Sequence, residues 1–389
     1  MGAIIRMADI NMLSFYSDHS VAPVRQNIAD LDGHFYRRRV LYQQLGIGAG
    51  AFTGRHILEV GPGTGQNALF VAAQRPSQLV LVEPNPTGVE EIKNSFKPYP
   101  AWCKILSVQN VPIEQYLNTH QFDFVLCEGL VGASGHPDPT ALILSIADHV
   151  RIDGILVLTC IEYVAYLSEM LRRLLGVEIT GHLQDINQRT AALLPIFSSH
   201  LQSLPGMSRR FDDWVIDNLI NPASVGRLVS FADCLSELGN KFDMLSTSPR
   251  FITDWAWYKK AALDINFFNQ VALECYWHNL HNFMDYRCVS PPRLESENRS
   301  LSSRCEESHH QIREYERTRN SSVRQQIIAN LHMLQQEISA TLPMVAGALA
   351  EVEGWLLAPS IDLQAVANSE KFGTWFGRAA TYLSLIRRI

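Results

Sequence analysis

The sequence lacks several features that would narrow its class at once. No apolar run reaches the roughly 18 residues that a membrane-spanning helix requires, so no membrane span is predicted. Residues 1–20 also lack the basic start and apolar stretch of a secretory signal. These absences favour a protein that folds in water and stays in the compartment where it is made.

Cysteine is scarce, and its spacing excludes two kinds of site. The chain has seven cysteines, and no two of them have the C-x-x-C spacing of a zinc site or a redox motif. We therefore predict no metal site. An odd number of cysteines without a secretory signal is typical of a reducing compartment, so we expect a cytoplasmic protein.

A positive charge excess is also missing. The net charge is −6, so no nucleic-acid partner is expected. The basic clusters Arg37-Arg38-Arg39 and Arg209-Arg210 are expected on solvated helix faces, with specific anion binding as the alternative. With 389 residues and 47% hydrophobic residues, the chain can form one large core with extensions or two domains.

What the sequence does contain is a glycine pattern that follows a short apolar run. Residues 57–60 are apolar except for Glu59, and Gly61, Gly63 and Gly65 follow at alternate positions. Glycine allows positive φ angles and a close approach of the backbone to a ligand. The pattern predicts a strand, a tight turn and a helix whose free N–H groups face the ligand.

A second apolar run, residues 79–82, ends in Glu83 about 20 residues after the glycine turn, the spacing of a ribose-binding carboxylate. A dinucleotide fingerprint would also require glycine or alanine at position 66, where the chain has Gln66. The observed pattern, E-x-G-x-G-x-G, instead resembles the first motif of class I S-adenosylmethionine-dependent methyltransferases.

The resemblance extends over about residues 50–160. Segments 104–108, 122–129 and 153–159 resemble the third, fourth and fifth strands of that family, and Pro139 to Val150 reads as a helix. The resemblance implies an α/β, Rossmann-like sheet of seven strands with helices on both faces. It also implies S-adenosylmethionine as the cofactor.

The family's motifs assign roles to residues of this chain. The first acid, Glu59, and the glycines would hold the methionine end of the cofactor, and Glu83 would bind the ribose hydroxyls. A polar and an apolar residue follow the third strand beside the adenine. The full set of expected cofactor-binding residues is Glu59, Gly61, Gly63, Gly65, Asn67, Glu83, Pro84, Asn110, Val111 and Glu128.

The segment after the fourth strand should face the methyl group, and it offers two candidate catalytic residues. His136 could act as a general base because its unperturbed pKa lies near neutrality. It could equally be a loop histidine at the start of the helix near Pro139, where Asp138 is a natural cap. Glu128 could orient an amine or hydroxyl acceptor, or only shape the loop.

The segments outside the resemblance are expected to form additions to this core and its last part. We predict an amino-terminal cap at 1–50, the cofactor-binding core at 51–161, a helical insertion acting as a substrate lid at 162–222, the end of the core at 223–261 and a helical carboxyl-terminal region at 262–389. The sixth strand is expected at Phe242–Ser248, after a helix from Ser224 to Leu238, and the seventh within Phe251–Tyr258.

Several residues outside the motifs are candidate acceptor contacts: Tyr16, His19, Asp185, Asn187, Arg189, Trp214 and Trp257. Three functions stay open. The favoured one is O- or N-methylation of a small molecule. The others are a protein methyltransferase whose helical tail binds a polypeptide and a non-catalytic protein that binds S-adenosylmethionine. The helical regions also offer surfaces for a homodimer.

Overall fold

The computed structural model describes residues 12–117, 121–132, 136–222, 226–253, 259 and 266–389. The chain divides into two compact units. Unit 1 consists of Met1–Ile161, Pro222–Cys275 and Ala380–Ile389, and unit 2 consists of Glu162–Asn221 and Tyr276–Ala379. The chain therefore leaves unit 1 twice and returns to it twice.

Unit 1 contains a seven-stranded sheet with the strand order β3-β2-β1-β4-β5-β7-β6. The strands are β1 His56–Val60, β2 Gln78–Val82, β3 Leu106–Gln109, β4 Phe122–Cys127, β5 Val150–Cys160, β6 Phe242–Ser248 and β7 Thr381–Arg387. Strands β1 to β5 pair in parallel, and β7 is antiparallel to both neighbours. The order reverses between β1 and β4, where open α/β sheets bind ligands at the carboxyl ends of the strands. The predicted Rossmann-like fold is confirmed.

One strand prediction is wrong. Phe251–Thr253 do not form a strand, and residues 254–258 lie outside the described residues. The seventh strand is β7, which lies between β5 and β6 and pairs with both. Its side chains at Leu383 and Leu385 are fully buried. The region predicted to be helical, 262–389, therefore ends in a strand of the sheet.

The described residues form sixteen α-helices. They are α1 Met12–His19, α2 Leu31–Gln44, α3 Gln66–Ala73, α4 Pro86–Phe96, α5 Pro100–Cys103, α6 Pro139–Ala147, α7 Tyr163–Thr180, α8 Ile186–Gln202, α9 Phe211–Val215, α10 Phe231–Leu238, α11 Phe267–Asn279, α12 Glu295–Thr318, α13 Ser321–Ile338, α14 Pro343–Leu357, α15 Leu363–Ala367 and α16 Lys371–Thr374. Short 3₁₀ turns lie at Ile113–Gln115 and Leu280–Met284, and a π turn at Ile216–Ile220.

Side-chain caps explain where several helices of unit 1 begin. Asp30 accepts a hydrogen bond from the Gly33 N–H at 2.9 Å and starts α2. Ser230 and Asp233 form a capping box that starts α10 at Phe231. The helix predicted from Ser224 is therefore shorter than expected.

The apolar core on one face of the sheet fixes the position of α2 in unit 1. Tyr42 of α2 stacks on Phe70 of α3, with the ring centroids 5.6 Å apart. Tyr42 also meets Phe52 edge to face, and Phe52 meets Phe124 of β4 in the same way. Because aromatic rings bury large apolar areas, this stack holds the polar face of α2 at a fixed place near β4.

Unit 2 is helical in its described residues and is organised around a buried arginine. The Arg172 side chain on α7 is fully buried and donates hydrogen bonds to the carbonyl oxygens of Phe372, Gly373 and Trp375. Its guanidinium also lies 3.8 Å from the ring centroid of Phe376. This residue therefore ties α7 to α16 and to the segment that follows it.

Two sequence expectations concern unit 2. The carboxyl-terminal region predicted to be helical at 262–389 contains helices α12 to α16 within unit 2. The insertion predicted to be helical at 162–222 contains α7, α8 and α9. The lid role of residues 162–222 stays a prediction. In the described part of the chain, no helix combines the length and the apolar character that crossing a membrane requires.

Candidate functional site

The glycine turn lies at the carboxyl end of β1, beside the point where the strand order reverses. Gly61, Gly63 and Gly65 have φ angles of 67°, 59° and 77°, which L-residues with side chains rarely adopt. Gly65 is also the N-cap of α3, and no side chain caps this helix. The first N–H groups of α3 therefore lie at the turn without a capping side chain.

Close neighbours add a second reason for glycine in the turn. A Cβ atom on Gly63 would lie 2.6 Å from Cγ2 of Val24, and one on Gly65 would lie 2.9 Å from Cγ1 of Ile92. At Gly61 the nearest atom would belong to Leu130, at 3.4 Å. Residues before α2 thus reach the turn, since Val24 lies directly against it.

Glu83 follows β2 and is bound to the same turn. One carboxylate oxygen accepts the Gly63 N–H and the other accepts the Asn85 N–H, both at 2.9 Å. Burial raises the pKa of Glu83 to about 7, although these two hydrogen bonds oppose the increase. Two strands are therefore joined at their carboxyl ends by a buried carboxylate.

The predicted adenine-side residues lie at the next strand. Asn110 follows β3, and its amide donates to the backbone oxygens of Glu83 at 2.9 Å and Pro84 at 3.1 Å. Val111 and Asn67 are half-buried. The sheet thus brings the residues predicted after β1, β2 and β3 to one edge.

Two further carboxylates lie at the carboxyl ends of β1 and β4. Glu59 is 3% exposed, and the side chain of Glu128 is 7% exposed. Arg38 of α2 forms an ion pair with Oε1 of Glu128, and the Tyr42 hydroxyl donates to the same oxygen at 2.8 Å. In the described part of the chain, Oε2 of Glu59, Oε2 of Glu128 and Nε of Arg38 are buried and have no hydrogen-bond partner.

The close approach of these groups changes their acid–base behaviour. Burial, and then the charge of Glu128, raise the pKa of Glu59 to about 8, with Arg38 opposing the increase. Burial alone would lower the pKa of Arg38, but the adjacent Glu128 holds it well above its usual value. Burial and Glu128 also raise the pKa of Tyr42, and they raise the pKa of Tyr382 on β7 to about 12.

The sequence analysis missed Arg38 and Tyr42. The run Arg37-Arg38-Arg39 was expected on a solvated face, yet Arg38 is 7% exposed, whereas its two neighbours are exposed. Arg38 and Tyr42 are four residues apart and so share one face of α2. The four-residue spacing of Arg38 and the aromatic Tyr42 is the sequence signal that could have indicated a buried position for Arg38.

A comparison with protein families identifies the domain that carries this site. Residues 33–193 match the model of a family described as a methyltransferase domain. The match includes the glycine turn, both strands that flank the reversal of strand order, and α2 from Gly33 onward. The chain contains a class I methyltransferase domain. Domains of this class take their methyl group from S-adenosylmethionine.

Solved structures similar to the methyltransferase domain share little sequence with it. The N-methyltransferase NodS from Bradyrhizobium japonicum WM9, solved with S-adenosyl-L-homocysteine, is 16% identical, with 35% of this chain and 65% of that chain covered and a TM-score of 0.28. CcbJ from Streptomyces caelestis is 14% identical, with 34% and 53% covered and a TM-score of 0.29. PKMT2 from Rickettsia typhi, solved with AdoHcy, is 16% identical, with 62% and 49% covered and a TM-score of 0.42.

These values do not support a transfer of residue roles or substrates. The chain spans less than two thirds of the length of each of the three proteins. No curated protein sequence matches the chain. The acceptor of the methyltransferase domain must therefore be inferred from its own residues.

His136, the predicted base, lies in the loop before α6 with both ring nitrogens near other groups. Nδ1 is 2.7 Å from the backbone oxygen of Asp138 and 3.1 Å from its backbone nitrogen, and Nε2 is 3.0 Å from Oε1 of Glu114. Asp138 caps α6 by accepting the Ala141 N–H at 3.0 Å. This geometry fits the alternative of a loop histidine at a helix start, and the catalytic role of His136 stays a prediction.

The other candidate acceptor contacts are dispersed over the chain. Tyr16 and His19 lie on α1 of unit 1, whereas Asp185, Asn187, Arg189 and Trp214 belong to unit 2. Trp257 lies outside the described residues. Asp185 caps α8 through a 2.8 Å hydrogen bond from the Gln188 N–H, which gives it a structural role.

Proposed function

We propose that the protein transfers the methyl group of S-adenosylmethionine to a nitrogen or oxygen atom of a small molecule. One observation carries the proposal: Glu128, directly after β4, has one carboxylate oxygen held by Arg38 and Tyr42 and the other buried without a described partner. Such an oxygen is suited to accept an N–H or O–H of an acceptor held beside the cofactor.

The residues at the turn fit the proposed cofactor. The three glycines have positive φ angles, and side chains at Gly63 and Gly65 would also clash with Val24 and Ile92. Glu83 lies at the end of the next strand, where a ribose would be bound. Glu59 supports the methionine end with a buried oxygen that lacks a described partner. We infer that Asn67, Pro84, Asn110 and Val111 complete the adenosine side.

The chemistry asked of the protein is modest. The sulfonium supplies an activated methyl carbon, so the protein has to hold the acceptor in line with it and receive its proton. Glu128 is the residue proposed to do so in this site. We propose that the reaction takes place in the cytoplasm, which the seven free cysteines support.

The first experiment is calorimetry with S-adenosylmethionine and NAD on the wild type and on Gly63→Asp. We expect S-adenosylmethionine to bind the wild type and not the variant, because an aspartate at position 63 would adopt a strained positive φ and clash with Val24, which distorts the turn. Tighter binding of NAD, or normal affinity of the variant, would overturn the cofactor assignment.

The second experiment identifies the class of acceptor. The protein is incubated with methyl-labelled S-adenosylmethionine and a cell extract divided by size, with Glu128→Gln as the matched variant. We expect label in the small-molecule fraction and at least tenfold less with Glu128→Gln. Label in polypeptides would favour a protein methyltransferase, and cofactor binding without transfer to any fraction would favour a non-catalytic protein.

A further inference from the structure

The charges at the reversal of strand order are not balanced among themselves. Two carboxylates, Glu59 and Glu128, face one guanidinium, that of Arg38, and all three side chains are buried. The guanidinium forms its ion pair with Oε1 of Glu128. Oε2 of each glutamate stays buried without a described partner. A buried anion in this state is costly unless a ligand supplies the missing positive charge.

The remaining titratable groups around the cluster do not supply that charge. Burial and then Arg38 lower the pKa of His34 on α2, so its ring is neutral at pH 7. Burial raises the pKa of the Cys127 thiol at the end of β4. The hydroxyls of Tyr42 on α2 and Tyr382 on β7 also stay neutral, because burial and Glu128 raise the pKa of each.

With both glutamates ionised, the cluster therefore carries one net negative charge. S-adenosylmethionine carries one net positive charge, since its ammonium and carboxylate cancel and its sulfonium remains. The product, S-adenosylhomocysteine, has a neutral thioether at the same place and no net charge. The two molecules are otherwise almost the same, so a buried negative charge distinguishes them more strongly than shape does.

We propose that Glu59 and Glu128, together with Arg38, form a cation-recognition site that selects the methyl donor over the demethylated product. This inference rests on the proposed function, because it takes S-adenosylmethionine as the ligand of the glycine turn. It adds a specificity role to two glutamates and assigns Arg38 as the residue that fixes one of them. Discrimination of this kind limits inhibition by the product.

The proposal also predicts a difference between the two ligands in the number of protons released on binding. Because burial and Glu128 raise the pKa of Glu59 to about 8, most molecules without ligand carry a proton on Glu59 at pH 7. A bound sulfonium favours the ionised carboxylate, so binding of the donor releases this proton. Binding of the neutral product leaves it in place.

The test is isothermal calorimetry with S-adenosylmethionine and S-adenosylhomocysteine at pH 7, in two buffers that differ in ionisation enthalpy. Wild type is compared with Glu59→Gln and Glu128→Gln. We expect each variant to lower the preference for the donor on the order of ten- to hundredfold, the size expected for one unit charge in a partly screened site. Donor binding should release more protons than product binding in the wild type, and the excess should vanish in Glu59→Gln.

Two control variants separate this inference from the proposed function. Glu83→Gln alters the ribose-side carboxylate and should weaken both ligands by the same factor, which leaves their ratio unchanged. Glu90→Gln changes an exposed carboxylate on α4 and should change neither affinity. Failure of the wild type to bind either ligand would refute the proposed function itself.

The inference alone fails if both ligands bind but their ratio is the same in wild type, Glu59→Gln and Glu128→Gln. Equal proton release with donor and product in the wild type would also overturn it, and this measurement does not depend on any variant folding. Sinefungin, which has an ammonium near the place of the sulfonium, offers a third probe. The two substitutions should weaken the binding of sinefungin as they weaken that of the donor, and not as they affect that of the product.

Discussion

The buried carboxyl group of Glu59 makes the cofactor-free protein sensitive to alkaline pH. The substitution Glu59→Gln replaces it with a neutral side chain of the same shape. Because burial and Glu128 raise the pKa of Glu59 to about 8, the folded protein keeps a proton that the unfolded chain loses near pH 4.5. The variant should therefore be more stable than the wild type at pH 9, when no ligand is present.

The direction and size of this effect follow from the two pKa values. Stability linked to the Glu59 proton is fully present below pH 4.5 and is lost as the pH rises through about 8. At about 1.4 kcal/mol for each pH unit, the whole interval corresponds to on the order of 5 kcal/mol. Between pH 6 and pH 9, the difference in unfolding free energy between variant and wild type should grow by about 3 kcal/mol.

Urea unfolding at pH 6 and pH 9, followed by circular dichroism, measures this difference. Glu90→Gln is the matched control, because it makes the same chemical change at an exposed position. Its effect on the unfolding free energy should be the same at both pH values. If the effect of Glu59→Gln is also independent of pH, then Glu59 is ionised in the folded protein and the reasoning from burial is refuted.

Three further predictions concern the turn, the core of unit 2 and the sheet. Gly63→Ala should weaken S-adenosylmethionine binding at least tenfold in calorimetry, since a φ of 59° costs about 1–2 kcal/mol and the new Cβ lies 2.6 Å from Val24. Arg172→Met leaves three buried carbonyls without a donor and should reduce the free energy of unfolding by about 3 kcal/mol or more. Deletion of residues 380–389 removes β7, and limited proteolysis should then cleave near β6.

Each of these predictions has a control or a contrary outcome. Gly48→Ala, at a glycine without positive φ and with nothing near its Cβ position, should leave cofactor binding unchanged. Arg317→Met, at an exposed position on α12, should leave the stability of unit 2 unchanged. A truncated chain that resists protease as the full chain does would contradict the position of β7 between β5 and β6.

The parts of the fold that the sequence predicted are those encoded by neighbouring residues. The glycine turn requires positive φ angles at alternate positions, and only glycine meets this requirement without strain. Strands β1, β2 and β4 and the second half of β5 are mostly apolar runs that are largely buried, which parallel strands typically are. Glu83 follows from its distance to the turn along the chain. None of these inferences needed a long-range contact.

Strand β7 shows where this approach stops. The segment Phe251–Tyr258 is aromatic and follows β6 closely along the chain, so the sequence predicts the seventh strand there. The strand that pairs with β6 is instead β7, which starts 133 residues after β6 ends. Both segments have the composition of a strand. The choice between them depends on where the chain re-enters unit 1 after the helices of unit 2. Local propensity contains no information about that return.

Local sequence is also an incomplete guide to the site, and it is less informative for the acceptor side than for the cofactor side. The cofactor side is built from backbone conformation, which a glycine pattern reveals directly. The proposed acceptor side depends on which oxygen of Glu128 is left without a hydrogen-bond partner, and this is decided by Arg38 and Tyr42, which are 90 and 86 residues away along the chain. A substitution at Arg38 would therefore remove the ion pair that orients Glu128 while leaving every recognisable motif intact. Proteins that share the glycine turn but differ at this helical position should thus bind the same cofactor and yet differ in their preference for donor over product, which makes residue 38 the position to compare among relatives.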